Sequence, residues 1–417
     1  MLSAFKIGDR FFYGWVVVAA IIAGGFIMMG ANSSFGVFFK SLEETFGLTR
    51  ASTSSILSTR MVFSGLAALL GGWAIDRYGP RKVFSVMGFF AGLSLILTGL
   101  TTDAWQLFFT YGLLMSVGTG AVFVVMTATV LRWFQRKRGL ALGIAGAGGG
   151  FGTAVLSPLS ASFINSLGWR TTIMMLGGLS WLVMLPAAFL IRGDPREMGL
   201  QPDGAVSDFQ TNGADPDTSL STKRPLSRVF RNQSFWALLF LWFTMAFSVF
   251  FIMTHIVPHA IDLGFSPVES ATILSISGIA MIIGRLFSGI IADRVDSKWI
   301  AVVTSLVQFG AILSLVWAGE LWMLYLFGLI NGVTFGGFGT AITMLIGKSF
   351  SLDDIGKILG ILEVGIFAGG ALGPYLGGLI FDNTGSYTLT FYIMAGAVML
   401  QVLLITLVKT EPDVLNA

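Results

Sequence analysis

Twelve mostly apolar stretches of about twenty residues or longer run through the chain, at 13–38, 52–75, 83–101, 104–131, 139–165, 171–191, 234–259, 268–291, 299–318, 321–347, 356–381 and 387–408. A membrane-spanning helix needs about 20 such residues. The bilayer core has no water to satisfy backbone groups, so each stretch must close its own hydrogen bonds as a helix. Charged types make up 11% of the 417 residues, against about 25% in soluble domains, so lipid is the main solvent. The stretches absorb most of the chain and leave no soluble domain of useful size. The expected fold is an all-α membrane protein with twelve transmembrane helices in two pseudo-symmetric six-helix bundles.

A sequence pI near 9.2 raises the question of nucleic acid, and the placement of charge answers it. Lys and Arg sort into alternate loops: 20 fall on the side of the N-terminus, three (Lys40, Arg50, Arg170) on the opposite side, and two, Arg60 and Arg285, inside spans. Positive charge is retained on the cytoplasmic face, which predicts a multi-pass inner-membrane protein with both termini cytoplasmic. The net charge of +3 is a topology signal. The first apolar stretch is too long for a signal peptide and lacks a small-residue cleavage site after it, so it reads as helix 1.

The two halves repeat. Gly72-Trp-Ala-Ile-Asp76-Arg77 returns as Gly289-Ile-Ile-Ala-Asp293-Arg294, Gly112 to Phe134 aligns with Gly328 to Phe350 without gaps, and Pro158 matches Pro374. The expected organisation is a six-helix bundle over 1–192, a polar cytoplasmic linker over 193–233 rich in Gly, Asp, Ser and Thr, and a second bundle over 234–417. Internal symmetry of this kind builds carriers whose cargo sits between the halves near the midplane. The glycines Gly143, Gly146, Gly148, Gly149, Gly150 and Gly152 predict close packing of helix 5 against a neighbour.

Helix 2 ends on Gly72, Asp76, Arg77, Tyr78, Gly79, Pro80, Arg81 and Lys82. Asp76 stands at a helix C-terminus, where negative charge opposes the dipole. It needs a cation or the start of another helix, which Gly72 would allow to approach. Such a contact can hold in one conformation and break in the next, as a latch. The second copy keeps Gly289, Asp293 and Arg294 but continues Val295-Asp296-Ser297-Lys298, which predicts a weaker latch there. A plain anchor of positive charge is the alternative.

This segment resembles the signature between helices 2 and 3 of the major facilitator superfamily. Trp133-Phe134-Gln135-Arg136-Lys137-Arg138-Gly139-Leu140-Ala141-Leu142-Gly143-Ile144-Ala145 resembles the start of helix 5 in the monocarboxylate transporter family. Tyr13-Gly14-Trp15 is a looser match to helix 1. Gly284-Arg285 with Gly289 and Ala292-Asp293 is similar to that family's helix 8, and Gly373-Pro374 through Asp382, Gly385-Ser386-Tyr387 to the end of its helix 11. The resemblance implies a bacterial secondary transporter that moves a small monocarboxylate of the lactate, pyruvate or acetate type together with a proton, by alternating access. A similarity to oxalate/formate antiporters leaves open an organic anion exchanger without proton coupling.

Arg285 lies eight residues before Asp293, roughly 12 Å into the membrane at 1.5 Å per residue. A charge there is costly unless paired or in a wet cavity, and a guanidinium fork matches a carboxylate with two parallel hydrogen bonds. The resemblance implies that Arg285 binds the substrate carboxylate; a permanent ion pair is the alternative. Glu363, eight residues into helix 11, reaches a similar depth of roughly 12 Å. Burial and a nearby arginine would act on its proton in opposite senses. Glu363 is expected to pair with Arg285 when the site is unloaded and to take a proton when cargo displaces it. Better-known animal members carry an acid one turn before the helix 8 arginine, where Met281 stands, and a lysine in helix 1, where Ser33 stands after Asn32. Their proton path therefore does not transfer. Arg60, ten residues inside helix 2, is either a second anion ligand or a partner of helix 11, and it joins Glu363 and Arg285 as a proton-coupling candidate.

Asn32, Ser33, Phe123, Asn331 and Phe335 are the other candidates to line the site; the two phenylalanines suit the apolar end of a small acid. His255 and His259 at the end of helix 7 are expected to be solvated, and their spacing makes no zinc site. No cysteine is present, which excludes thiol chemistry, and no phosphate-binding glycine loop occurs. No nucleophile–base spacing suggests an enzyme. No cofactor is expected. The expected partners are a small organic acid anion, a proton and the bilayer, with the chain monomeric. Drug or sugar export is disfavoured because helix 4 lacks an embedded arginine.

Overall fold

The computed structural model describes residues 12–203, 230, 232–292, 294–349 and 355–409. Twelve long apolar helices cross it. They are α1 (Gly14–Phe46), α2 (Arg50–Tyr78), α3 (Pro80–Gly99), α4 (Ala104–Trp133), α5 (Arg138–Leu167), α6 (Trp169–Leu190), α7 (Gln233–Asp262), α8 (Pro267–Ala292), α9 (Ser297–Ser314), α10 (Leu321–Ser349), α11 (Ile355–Thr384) and α12 (Thr388–Leu407). The end of the bundle where α1 begins is called the basic end here, and the opposite end the far end.

Turn chemistry sets the helix boundaries. Gly79 takes φ +81° between α2 and α3, a conformation open to glycine, and Pro80 follows at the first helical position, where its missing N–H costs nothing. Thr49 caps α2 by accepting from Ser52 N. In α4 the register loosens to a π-helical turn over Phe108–Leu114, and the helix bends again at Gly120.

Packing follows the internal repeat. α1 lies along α5 and α7 along α11; α8 lies along α10. Two long seams join the halves, α2 against α11 and α5 against α8, and each maps onto the other under a six-helix shift; α1 also meets α7, where a Cβ at Gly36 would run into the Met253 carbonyl oxygen. Small residues bring these backbones together in lipid, where no hydrophobic drive does so. A Cβ at Gly278 would lie 2.6 Å from the Gly150 carbonyl oxygen, and one at Gly378 would lie 2.6 Å from that of Arg50.

Of the expected linker, residues 204–229 and 231 lie outside the described residues. Its first part is held in place. Pro195–Met198 form a short 3-10 turn. The Asp203 carboxylate accepts from the backbone N–H of Gln135, Arg136 and Lys137 at 2.6, 3.1 and 3.2 Å, in the turn before α5.

Candidate functional site

Arg285 sits two turns beyond Gly278 on α8, toward the basic end. There α5 presents Gly146, and a Cβ at that glycine would stand 2.7 Å from Arg285 Nη1. The guanidinium therefore crosses from one half to the other over a residue with no side chain. It is partly exposed. Among the described residues it has no hydrogen-bond or ion-pair partner.

Glu363 lies one turn toward the basic end from Phe367, which packs on Gly65 of α2 at 3.2 Å from a would-be Cβ. It is also partly exposed. The expected pairing of Glu363 with Arg285 is not formed in this conformation, since no ion pair within 4.0 Å joins them. The reason is the seams. α11 leans on α2 and α8 leans on α5, so the two side chains hang from opposite flanks of the space between the halves.

Arg60 is 2% exposed. Its Nη2 donates to Asn32 Oδ1 at 2.5 Å, and its guanidinium carbon lies 5.7 Å from the Tyr111 ring centroid. α1, α2 and α4 thus meet around one cation. The alternative partner on helix 11 is absent among the described residues. Asn32 is placed at this cation. Ser33, one residue on and about 100° around the helix, is not. It is fully buried against α5, with its Oγ 3.0 Å from the Gly30 carbonyl and 3.2 Å from Ser157 Oγ. Its expected place in the site is corrected to helix packing.

In the second half, Asn331 is buried in an uncharged polar chain. Its Oδ1 accepts from Gln308 Nε2 at 2.8 Å and its Nδ2 donates to Ser277 Oγ at 3.0 Å; Thr334 donates to Gln308 Oε1. The amide is thereby engaged inside the half, tying α8, α9 and α10. Phe335 lines a pocket with Ser248, Gln308 and Gln401, between α7, α9, α10 and α12. Phe123 is 46% exposed and contacts none of the other site residues through a ring or polar interaction.

At the far end a cross-half lock appears that sequence reasoning missed. Arg50, 6% exposed, donates Nη2 to Asp262 Oδ2 and Nη1 to Tyr387 Oη, each at 2.5 Å, and stacks 3.8 Å over the Phe381 ring. Asp262 also pairs with Lys40. Asp382 of α11 accepts from the backbone N–H of Arg50 at 2.9 Å and Ala51 at 2.8 Å, capping α2 from the other half. His255 is 1% exposed rather than solvated. Its Nε2 lies 2.8 Å from the Pro374 carbonyl and its Nδ1 2.8 Å from Tyr387 Oη. A carbonyl can only accept, so the hydrogen is on Nε2 and Nδ1 accepts from the phenol. Burial pushes the Tyr387 phenol up, against the opposing pull of Arg50, so it stays a neutral donor. His259 packs edge-on to Tyr387 and Phe391. The motif end at Asp382 and Tyr387 was the available signal.

At the basic end the ion pairs between described residues stay within each half. Asp76 lies 3.4 Å from Arg132 of α4, and Asp296 lies 3.8 Å from Lys348. Gly71 meets the neighbouring helix, at Ala121 of α4, whereas a Cβ at Gly72 would find only Val124, 4.0 Å away; the expected close approach shifts by one residue. Arg77 lies against Trp73 and Tyr78, and Arg81 lies 5.0 Å over Phe189. Gly289 faces open space, Arg294 follows α8, and Asp293 lies outside the described residues. Among the described residues, charged pairs between the halves occur at the far end alone.

Such a molecule, two repeated bundles joined along their seams with an arginine inside the span of each half, has the form of a carrier with its cargo site between the halves. The model of the Major Facilitator Superfamily matches residues 21–321 and 260–416, and the chain belongs to that superfamily. Within it the chain is related to monocarboxylate transporters. It is 30% identical to monocarboxylate transporter 13 of Bos taurus, over 93% of this chain and 87% of that one. It is 25% identical to a probable sulfoacetate transporter of Cupriavidus necator, over 86% and 85%. A crystal structure of a D-xylose–proton symporter shares the fold, with a TM-score of 0.76 at 14% identity over 94% of this chain and 97% of that one.

Proposed function

We propose that this transporter carries a small monocarboxylate of the lactate, pyruvate or acetate type across the inner membrane with a proton, and that Arg285 is the ligand of the carboxylate. One observation carries the reading. Arg285 is a permanent cation within the span, at the seam between the halves and, among the described residues, without a protein partner, so a cargo anion supplies its counter-charge. The relatives named as monocarboxylate and sulfoacetate transporters are consistent with a carboxylate at that position. Glu363 takes the proton on the opposite flank. With the basic end cytoplasmic, the conformation is inward-open: the far-end lock closes the outside, while the latch at Asp76 awaits the other state. The first bundle, 1–192, and the second, 234–417, rock as units about the linker.

A second reading is favoured by the separation of Glu363 from Arg285. If the acid does not answer to the occupancy of the arginine, the protein exchanges organic anions without a proton. Proteoliposomes separate the two. A symporter takes up labelled lactate when the outside is acid and the inside holds no anion; an exchanger requires internal anion whatever the pH gradient.

A further inference from the structure

Arg60 carries more donor capacity than the protein uses. Among the described residues, Nη2 makes the one hydrogen bond within 3.5 Å, to the neutral amide oxygen of Asn32. Its Nε and Nη1 are buried with no hydrogen-bond partner, and the hydroxyl of Tyr111 beside it is likewise buried and without one. No carboxylate lies within 4.0 Å among the described residues. Tyr111 belongs to a buried apolar cluster with Phe35, Met61 and Met115, against which Phe367 packs. A guanidinium does not shed its charge to adapt. Burying it beside one neutral amide is strongly unfavourable, and leaving donors unmet adds to the cost.

We infer that Arg60, Asn32 and Tyr111 form a second anion subsite, which takes a carboxylate of the cargo. This rests on the organic-acid reading above and adds a station to it. Arg60 is ten residues from the far-end start of α2, roughly 15 Å in, and Arg285 is seven from the basic-end stop of α8, roughly 10 Å in. The two cations therefore sit at different depths, one in each half. Arg60 is sealed beneath the far-end lock while Arg285 is partly exposed. The subsite meets water when the lock opens, so an anion entering from the far side passes Arg50 and reaches Arg60 before Arg285.

The test is binding to the purified full-length protein in nanodiscs, read as the rise in melting temperature with anion concentration. The probes are lactate, malonate and succinate, and the variants are Arg60→Gln, Arg60→Lys, Tyr111→Phe and Arg285→Gln. Arg60→Gln is expected to fold, to melt without anion no lower than the wild type, and to lose affinity about tenfold or more, with Tyr111→Phe losing roughly threefold. Loss for malonate and succinate alone assigns the subsite to the second carboxylate of a diacid; equal loss for lactate assigns it to a single carboxylate in transit. Arg60→Lys, which keeps the charge and loses the planar donors, is expected to fall between. Unchanged affinity in Arg60→Gln for all three acids, with loss in Arg285→Gln, overturns the subsite and leaves the organic-acid reading standing. No stabilisation of the wild type by any of the acids removes both.

Discussion

Asp382, at the end of α11 in the second half, closes the first turn of α2 in the first half by accepting from the backbone N–H of Arg50 at 2.9 Å. Its other oxygen takes the N–H of Ala51 at 2.8 Å. A carboxylate at a helix N-terminus is favoured by the dipole as well as by these bonds. The cap exists only while the far end is shut, so its free energy belongs to one conformation and biases the equilibrium.

Asp382→Asn keeps one acceptor and loses the charge. It is expected to cost the closed far end about 1.5 kcal/mol, roughly a tenfold gain in the open population. The chain has no native cysteine, so Ser58→Cys, two turns inward from Arg50 on α2 and hydrogen-bonded to the Ala371 carbonyl of α11, reports this directly. Labelling by an impermeant thiol reagent from the far side should accelerate about tenfold with Asp382→Asn. An unchanged rate would remove the cap from the gate.

Tyr387→Phe removes the phenol that Arg50 Nη1 and His255 Nδ1 both contact. Two buried groups lose a partner, at about 1–3 kcal/mol each before relaxation. The variant should unfold at a lower temperature than the wild type and open the far end more often in the same labelling assay. Equal stability would mean that water replaces the hydroxyl.

Gly146→Val tests the seam. Its Cβ meets only the Arg285 guanidinium within 4 Å, so the branched side chain displaces that group and little else. The apparent substrate constant should rise about tenfold with expression and melting temperature near wild type. An unchanged constant would place the working position of Arg285 elsewhere.

Glu363→Gln is neutral at every pH and cannot load a proton. Wild-type uptake should rise as the outside is acidified, because protonation of a carboxylate completes the loaded form. In Glu363→Gln, uptake should lose that dependence while exchange of internal for external anion persists. Wild-type pH dependence in the variant would assign the proton to another group.

The scaffold was legible because lipid demands long apolar helices, and twelve of them leave few alternatives. Arg285 was legible for the same reason, as a charge where charge is costly. Finer placement depends on rotation about each helix, which hydrophobic stretches hardly encode. Asn32 and Ser33 are neighbours in sequence, yet one meets Arg60 and the other Ser157. Gly71 rather than Gly72 approaches α4 for the same reason. The far-end lock was illegible in a different way. Arg50, Asp262 and Asp382 stand at span ends, where charged residues are ordinary, and only the tertiary meeting of α2, α7 and α11 turns them into one cluster. His255 looked like a boundary histidine until Tyr387 and Pro374 enclosed it.

Uptake of labelled lactate into proteoliposomes by the wild type and Arg285→Lys, with and without an acid exterior, tests the central assignment most directly. Lysine keeps the charge and loses the two-pronged donor, so the apparent constant for lactate should rise tenfold or more while the protein stays folded. Uptake by Arg285→Lys with an unaltered constant would contradict the assignment of Arg285 as the carboxylate ligand.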